Sequence, residues 1–252
     1  MRTQVVSNGL SLTRRGLDTV EDTLDLLAVS LDGAPADHDR MRGMVGAFSR
    51  LEKSLGLIRE SGIPFALLFT LTMFNVHQLG WAADFARRQG ARMLQIHPLE
   101  AVGRGSGLSD EVPDETEGAM ALLEAMRLQE EYRADLTIHV DIATVSQLRS
   151  LGRARLSESP ALLSEVLSPL VIEPDGMCVP FEYGFPRAYA LGDIRTRRLP
   201  DLAAEWIRDV YPDVFAAASR LQADVESADE GVVVNSYQKL RDALATPLSA
   251  FV

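Results

Sequence analysis

Cysteine is nearly absent from this sequence: Cys178 stands alone among 252 residues. One thiol excludes an intrachain disulfide and any site built from several cysteines of this chain. Long apolar runs are missing as well. No stretch approaches the ~18 apolar residues of a membrane-spanning helix, and Met1 to Gly9 is too poor in apolar residues for a signal peptide. An excess of basic residues is also lacking. The net charge of −11 argues against a nucleic-acid-binding surface. His38, His77, His97 and His139 form no close pair such as His-x-x-x-His, so no metal site has a local signature. No repeat and no low-complexity segment interrupts the chain. What remains, 46% hydrophobic and 24% charged, is an ordinary globular composition. The expectation is a cytoplasmic protein of one large or two small domains that engages neither nucleic acid nor membrane.

The first half alternates between two kinds of segment. Thr3 to Ser7, Leu24 to Leu31, Phe65 to Phe74, Arg92 to His97 and Leu136 to Ile142 read as strands. The second is almost continuously apolar, which suits a parallel strand buried on both faces. Between strands, Met44, Phe48, Leu51, Leu55 and Ile58 recur at helical spacing, with Gly62 as terminator. Asn75 can cap a helix from Val76 to Gln89, closed by Gly90. Ser106 to Glu117 reads as an acidic loop, and Met120 to Tyr132 as a helix without a clear apolar face. A run of βα units predicts a parallel sheet with the helices on one side. Leu151 to Leu167 is ambiguous. Beyond it the pattern changes: two short apolar arms flank Asp175-Gly176, a hairpin signal. Helices then start at Pro200 and Pro212, and a last one lies in the tail from Val232. The division is placed at 1–168 and 169–252.

Ligands in α/β folds sit at the carboxyl ends of the strands. The Ser30-Leu31-Asp32-Gly33 stretch and the loop holding His38, Asp39 and Arg42 occupy such a place. Ser30 offers a hydroxyl that both donates and accepts, and Arg42 can hold a carboxylate through two parallel bonds. The plain alternative has Asp32 and Asp39 capping and turning the chain, with Arg42 as their partner. His97 and His139 each fall on a strand, where a satisfied rim histidine is the commoner role. Gly103 to Gly107 lacks the Gly-Lys-Ser/Thr of a phosphate loop and reads as a flexible loop. Cys178 reads as an inert small side chain, and Tyr183, Phe185 and Tyr189 as hairpin packing.

The order of these segments resembles the radical S-adenosylmethionine (SAM) enzymes of the subgroup with a C-terminal SPASM or twitch extension. Val5-Val-Ser-Asn-Gly9 resembles their third-strand "TNG". Ala28 to Gly33, followed by His38-Asp39 and Arg42-Gly43, resembles the fourth strand and its loop. Thr72-Met-Phe-Asn75 resembles the fifth strand's "v...N", and Pro98 to Gly105 the "P…..GRG" after the sixth. Glu173 to Phe181, Leu191 to Ile194 and Leu202 to Trp206 resemble the extension. The resemblance implies a partial TIM-like (β/α)6 barrel missing its first two strands, with a small hairpin-and-helix extension. It implies roles in SAM binding: Ser30 at the ribose, Arg42 at the carboxylate, and Leu99 beside the adenine.

The family's cluster-binding Cys-x-x-x-Cys-x-x-Cys and its Gly-Gly-Glu are not in this chain, and Phe181 stands at the extension's cysteine position. A [4Fe–4S] cluster is therefore expected for the family, but its ligands are absent here. The implied identity is an N-terminally truncated member, inactive alone. The missing segment reflects a mis-called start, a gene truncation or a split gene with a separate partner chain, and the substrate is a peptide or small molecule. The alternatives are a degenerate, non-catalytic relative that binds a peptide or protein, and an unrelated hydrolase- or aldolase-type barrel using His97, Glu100 or Asp141 as acid or base.

Overall fold

The computed structural model describes residues 2–100, 103–151, 157–229, 233–234 and 236–245. Ala101 and Val102 of the glycine-rich segment, 152–156 of the ambiguous stretch, and 232, 235 and 246–252 of the tail lie outside the described residues. The chain divides into two compact units, Met1–Ile142 and Ala143–Val252. The sequence division at 168 and 169 followed the appearance of the hairpin, which lies within the second unit.

The first unit is built on a parallel sheet of β1 (Gln4–Ser7), β2 (Leu26–Leu31), β3 (Phe65–Leu71), β4 (Met93–Pro98) and β5 (Thr137–Val140), paired in chain order. Its helices are α1 (Arg14–Val20), α2 (Pro35–Arg42), α3 (Ala47–Ser61), α4 (Leu79–Gln89) and α5 (Glu115–Tyr132). Register aligns the side chains into two sets. Leu27 and Val29 pair with Phe65 and Leu67, and Leu67 and Phe69 with Leu94 and Ile96. These residues are buried, and α4 and α5 pack against the strands. Ser30 pairs with Leu68, Leu68 with Gln95, Thr70 with His97, and Gln95 with His139. Apart from Leu68, that second set is polar, and all of it is half-buried or exposed. The sheet therefore has an apolar face under helices and a second face that turns polar toward the carboxyl ends of the strands.

Three helix boundaries differ from the sequence expectation. Met44 lies before α3 and is half exposed, whereas Phe48, Leu51, Leu55 and Ile58 are buried as expected. The reason is Asp39, whose carboxylate accepts the Gly46 and Phe48 N–H groups at 2.6 and 2.8 Å and starts the helix there. Asn75 does not cap: a short 3₁₀ turn over Val76–Gln78 precedes α4, and the Asn75 side chain is used elsewhere. α5 begins at Glu115, inside the expected loop, because Asp114 accepts the Thr116 and Glu117 N–H groups. Its buried face is made of Gly118, Ala121, Leu122, Ala125 and Leu128, small residues that hide the periodicity. Gly62 and Gly90 end α3 and α4 in the left-handed conformation, as expected. The backbone of Gly103–Glu111 forms 3₁₀ turns rather than an irregular loop.

The second unit holds a short antiparallel pair, β6 (Ala143–Thr144) with β10 (Val233–Val234), and helix α6 (Val145–Leu151). The hairpin is β7 (Leu170–Ile172) and β8 (Met177–Pro180), extended by β9 (Gly192–Asp193). Helices α7 (Leu199–Asp209), α8 (Tyr211–Ser227) and α9 (Ser236–Ala245) complete it. Its core gathers Cys178, Val179, Phe185, Leu202, Trp206 and Tyr211. Trp206 donates its indole N–H to the Tyr189 carbonyl at 2.8 Å, so the ring is buried without an unmet donor. Cys178 is fully buried, and burial pushes its thiol up, as suits an inert side chain. Phe185 is hairpin core and its ring meets that of Tyr189, but Tyr183 is exposed. Among the described residues no helix is long and apolar enough to cross a membrane.

Phe69, on the central strand, has no exposed surface. Phe69→Ala is expected to destabilise the first unit by about 3–5 kcal/mol, read as a lower urea midpoint; an unchanged midpoint would place Phe69 outside the core.

Candidate functional site

Two polar clusters occupy the carboxyl ends of the parallel strands. The first centres on Asp32, immediately after β2 and only 4% exposed. Thr70 of β3 donates its hydroxyl to Oδ1 at 2.8 Å. Arg42, at the end of α2, grips both oxygens, Nη2 on Oδ1 at 3.1 Å and Nε to Oδ2 at 2.6 Å. His38 is fully buried; its Nδ1 accepts the Asp32 N–H at 3.1 Å and lies 3.2 Å from Oδ2. Burial alone would raise the Asp32 carboxyl; His38, Arg42 and Thr70 outweigh it and hold it below the usual carboxylate range. Asn75 ties the strand ends together. Its amide donates to the carbonyls of Asp32 and Thr70 at 3.2 and 2.8 Å, and its oxygen accepts the Thr72 N–H at 2.7 Å.

Gly33 follows Asp32 at φ +145°, and a Cβ there would lie 2.9 Å from the Asp37 Cβ and 3.0 Å from Gln78 Oε1. Gln78 seals the turn by accepting the Ala34 N–H at 2.7 Å and donating to Asp37 at 2.6 Å. The Leu-Asp-Gly stretch is thus a tight exit from the sheet, pinned by a residue far along the chain.

The second cluster lies at the ends of β4 and β5. Asp141 Oδ2 accepts Gln95 Nε2–H at 2.7 Å and lies 3.0 Å from His97 Nδ1. Its Oδ1 lies 3.2 Å from His139 Nε2, and Glu100 Oε1 is 3.9 Å from His97 Nε2. Burial pushes the Asp141 carboxyl up, but the bonds from His139, His97 and Gln95 prevail and hold it far below the ordinary range. The same bond raises the pKa of His139. Among the described residues no group of three or more His, Cys, Asp or Glu side chains is arranged to hold a metal ion.

Ser30 is half-buried on the open face of β2, two positions before Asp32. Leu99 is half-buried just past β4, its N–H donated to the Leu71 carbonyl at 2.8 Å. Ser30 and Leu99 thus flank β3, while two nitrogens of Arg42 are committed to Asp32. Sequence reasoning missed Thr70, Asn75 and Gln95 as site residues. Asn75 carried a local signal, an asparagine directly after a strand, but it was ascribed to helix capping. His38 and Asp39 split in role, one buried at the site and the other capping α3.

Asp32→Ala should cost about 3 kcal/mol or more, since it strands the Arg42 charge. Asp32 and Asp141 have lowered carboxyls, so the unfolded chain takes up protons first. The stability they contribute is full above the ordinary value of 3.8 and is lost as the pH falls toward their folded values. Acid titration followed by circular dichroism should therefore show a shallower loss for Asp32→Asn than for wild type. Equal slopes would deny Asp32 that role.

No protein-family model matches the chain. Among curated proteins it is similar to the AdoMet-dependent heme synthase of Nitratidesulfovibrio vulgaris, 37% identical over 86 residues, 34% of this chain and 23% of that protein. It is also similar to the AdoMet-dependent heme synthase of Methanosarcina barkeri, 32% identical over 114 residues, 44% and 32% of the two chains. The PqqA peptide cyclase of Ruegeria pomeroyi is 32% identical over 96 residues, 37% and 26% of the two. The stretch matched is thus about a quarter to a third of these relatives' own length. Two solved structures share the fold. The radical SAM protein anSMEcpe with bound AdoMet and Cp18Cys peptide has a TM-score of 0.60 at 14% identity, over 96% of this chain and 73% of that one. Streptococcus suis SuiB bound to precursor peptide SuiA has a TM-score of 0.57 at 12% identity, over 84% and 49%. Motif order, sequence relatives and fold neighbours converge on the radical SAM superfamily, to which this chain is similar.

Proposed function

We propose that this chain carries part of an AdoMet site and a substrate-facing sheet, and that it acts as a piece of a longer radical SAM enzyme modifying a peptide or small molecule. The observation that carries this proposal is the half-buried polar row at the strand ends, Ser30, Thr70 and His97, on the face not covered by helices. Ser30 has a hydroxyl for a ribose, and Leu99 has an apolar side chain for the adenine. Arg42 meets the AdoMet carboxylate only by sharing its guanidinium with Asp32. The peptide class is supported by fold neighbours whose structures contain peptides and by a relative named as a peptide cyclase; the small-molecule class by relatives named as heme synthases.

AdoMet in such an enzyme is cleaved reductively at a [4Fe–4S] cluster. The residues of this chain do not fit that cluster. Its single cysteine is buried in the hairpin core of the second unit, and Phe181, at the extension's cysteine position, stacks edge-on against Phe185 at 5.4 Å. In this reading the cluster ligands come from a preceding segment or a separate partner chain. The same absence of ligands favours a second reading, a non-catalytic relative that binds a peptide or protein.

Equilibrium dialysis with labelled AdoMet is expected to show binding by the folded chain. Ser30→Ala should weaken it about fivefold, the worth of one hydrogen bond. No uptake at millimolar AdoMet would refute the pocket. Anaerobic iron–sulfur reconstitution of the chain alone should give no [4Fe–4S] absorbance. An in-frame Cys-x-x-x-Cys-x-x-Cys upstream of the Met1 codon, or in an adjacent gene, separates the enzyme from the non-catalytic relative.

A further inference from the structure

Asp32 is 4% exposed, too enclosed for its carboxylate to meet a ligand. Its partner Arg42 is less enclosed. The Arg42 side chain is 22% exposed and belongs to the last turn of α2. A guanidinium is planar, with five N–H donors in a fixed fork. Arg42 turns one edge of that fork to Asp32, with Nε 2.6 Å from Oδ2 and Nη2 3.1 Å from Oδ1. Nη1 and the outer N–H of Nη2 are left over. Among the described residues Nη1 has no hydrogen-bond or ion-pair partner, and it is not one of the buried polar atoms that lack one, so it reaches solvent.

Asp32 cannot swing with Arg42. Its Oδ1 accepts the Thr70 hydroxyl at 2.8 Å, its carbonyl accepts from Asn75 at 3.2 Å, and its N–H is donated to His38 Nδ1 at 3.1 Å. The carboxylate is therefore fixed in the sheet, and it sets the plane of the guanidinium. An arginine side chain held by nothing gives up its rotamer freedom on meeting a ligand, whereas this one is ordered beforehand. Asp32 also has an opposing effect, because its charge cancels that of Arg42 at long range. What the pair keeps is direction: two parallel N–H groups, the match of a planar carboxylate.

We propose that Asp32 is a positioning residue that presents the outer fork of Arg42 to a ligand carboxylate, and that it thereby makes the site selective for ligands carrying one. The proposal rests on the AdoMet reading above, with the carboxylate of AdoMet as the group held. Asp32 itself touches no ligand and acts only through Arg42.

Equilibrium dialysis with AdoMet and with decarboxylated AdoMet, which lacks only that group, separates this role from a structural one. The wild-type chain is expected to prefer AdoMet. In Asp32→Asn the amide sets a donor against Arg42 or Thr70. AdoMet binding should then weaken about tenfold, the worth of a charge-assisted hydrogen bond, and binding of decarboxylated AdoMet by less than about twofold. Equal weakening of both ligands would reduce Asp32 to a structural part, and tighter AdoMet binding would make it a competitor for Arg42; either overturns the proposal. A wild type that binds both ligands equally overturns it too, while leaving AdoMet binding intact. A wild type that takes up neither overturns the AdoMet reading and this proposal together. If Asp32→Asn does not fold, ¹⁵N–¹H spectra of the wild-type arginine side chains decide it together with the wild-type preference for AdoMet. Arg42, assigned by the signal lost in Arg42→Lys, should show separate Nη1 and Nη2 signals without ligand, from hindered rotation about Nε–Cζ. Averaged Nη signals would mean that Asp32 does not fix the guanidinium.

Discussion

Asp32 brings an ionised carboxylate to a position with almost no solvent exposure, and the end of the sheet is arranged around that fact. Taking a carboxylate out of water costs several kcal/mol unless partners replace its hydration. Three do so, from two different segments: Thr70 on β3, and His38 and Arg42 on α2. Each pairing restricts a backbone. Arg42 draws the end of α2 back toward β2, Thr70 locks β2 to β3, and Asn75 joins the carbonyls of both strands. Ser30 and the open polar row take their places from this clamp.

The sheet separates two kinds of work between its faces. The helix-covered face is aliphatic and aromatic, with Leu67, Phe69, Leu94 and Ile96 fully buried. The other face is polar toward the carboxyl ends of its strands, at Ser30, Thr70, Gln95, His97 and His139. Stability comes mainly from the first face through loss of apolar surface. The second face spends some of that stability on fixed charges. Asp141 beneath two imidazoles is the counterpart, at β4 and β5, of Asp32 at β2 and β3. Both carboxylates remain ionised because donors surround them, so both clusters are preorganised before any ligand arrives.

Much of the local structure was legible because its cause is local. Gly62 and Gly90 end helices through their own backbone freedom, and the Asp175-Gly176 turn makes the β7–β8 hairpin from adjacent residues. The near-continuous apolar run of β2 announced a parallel strand. The start of α3 was misplaced because Asp39 caps it from seven residues before Gly46, across a loop. Asn75 was misread for a related reason: its bonds to Asp32 and Thr70 offered better partners than the free N–H groups of the next helix.

The sequence by itself determined the class of fold, the order of its segments and the family it resembles, since these rest on periodicity, turn residues and motif order along one chain. It also determined that one cysteine cannot hold a cluster. Only the tertiary structure decided which polar residues meet. Arg42 lies ten residues from Asp32, but Thr70 lies 38 away, and Gln95 is 46 residues from Asp141. Those meetings depend on parallel register, in which one strand's residue is set beside another's by backbone hydrogen bonds across a helix-long crossover. No spacing along the chain encodes that alignment, so Asp32's clamp and the His97–Asp141 pair became visible only when the strands lay side by side.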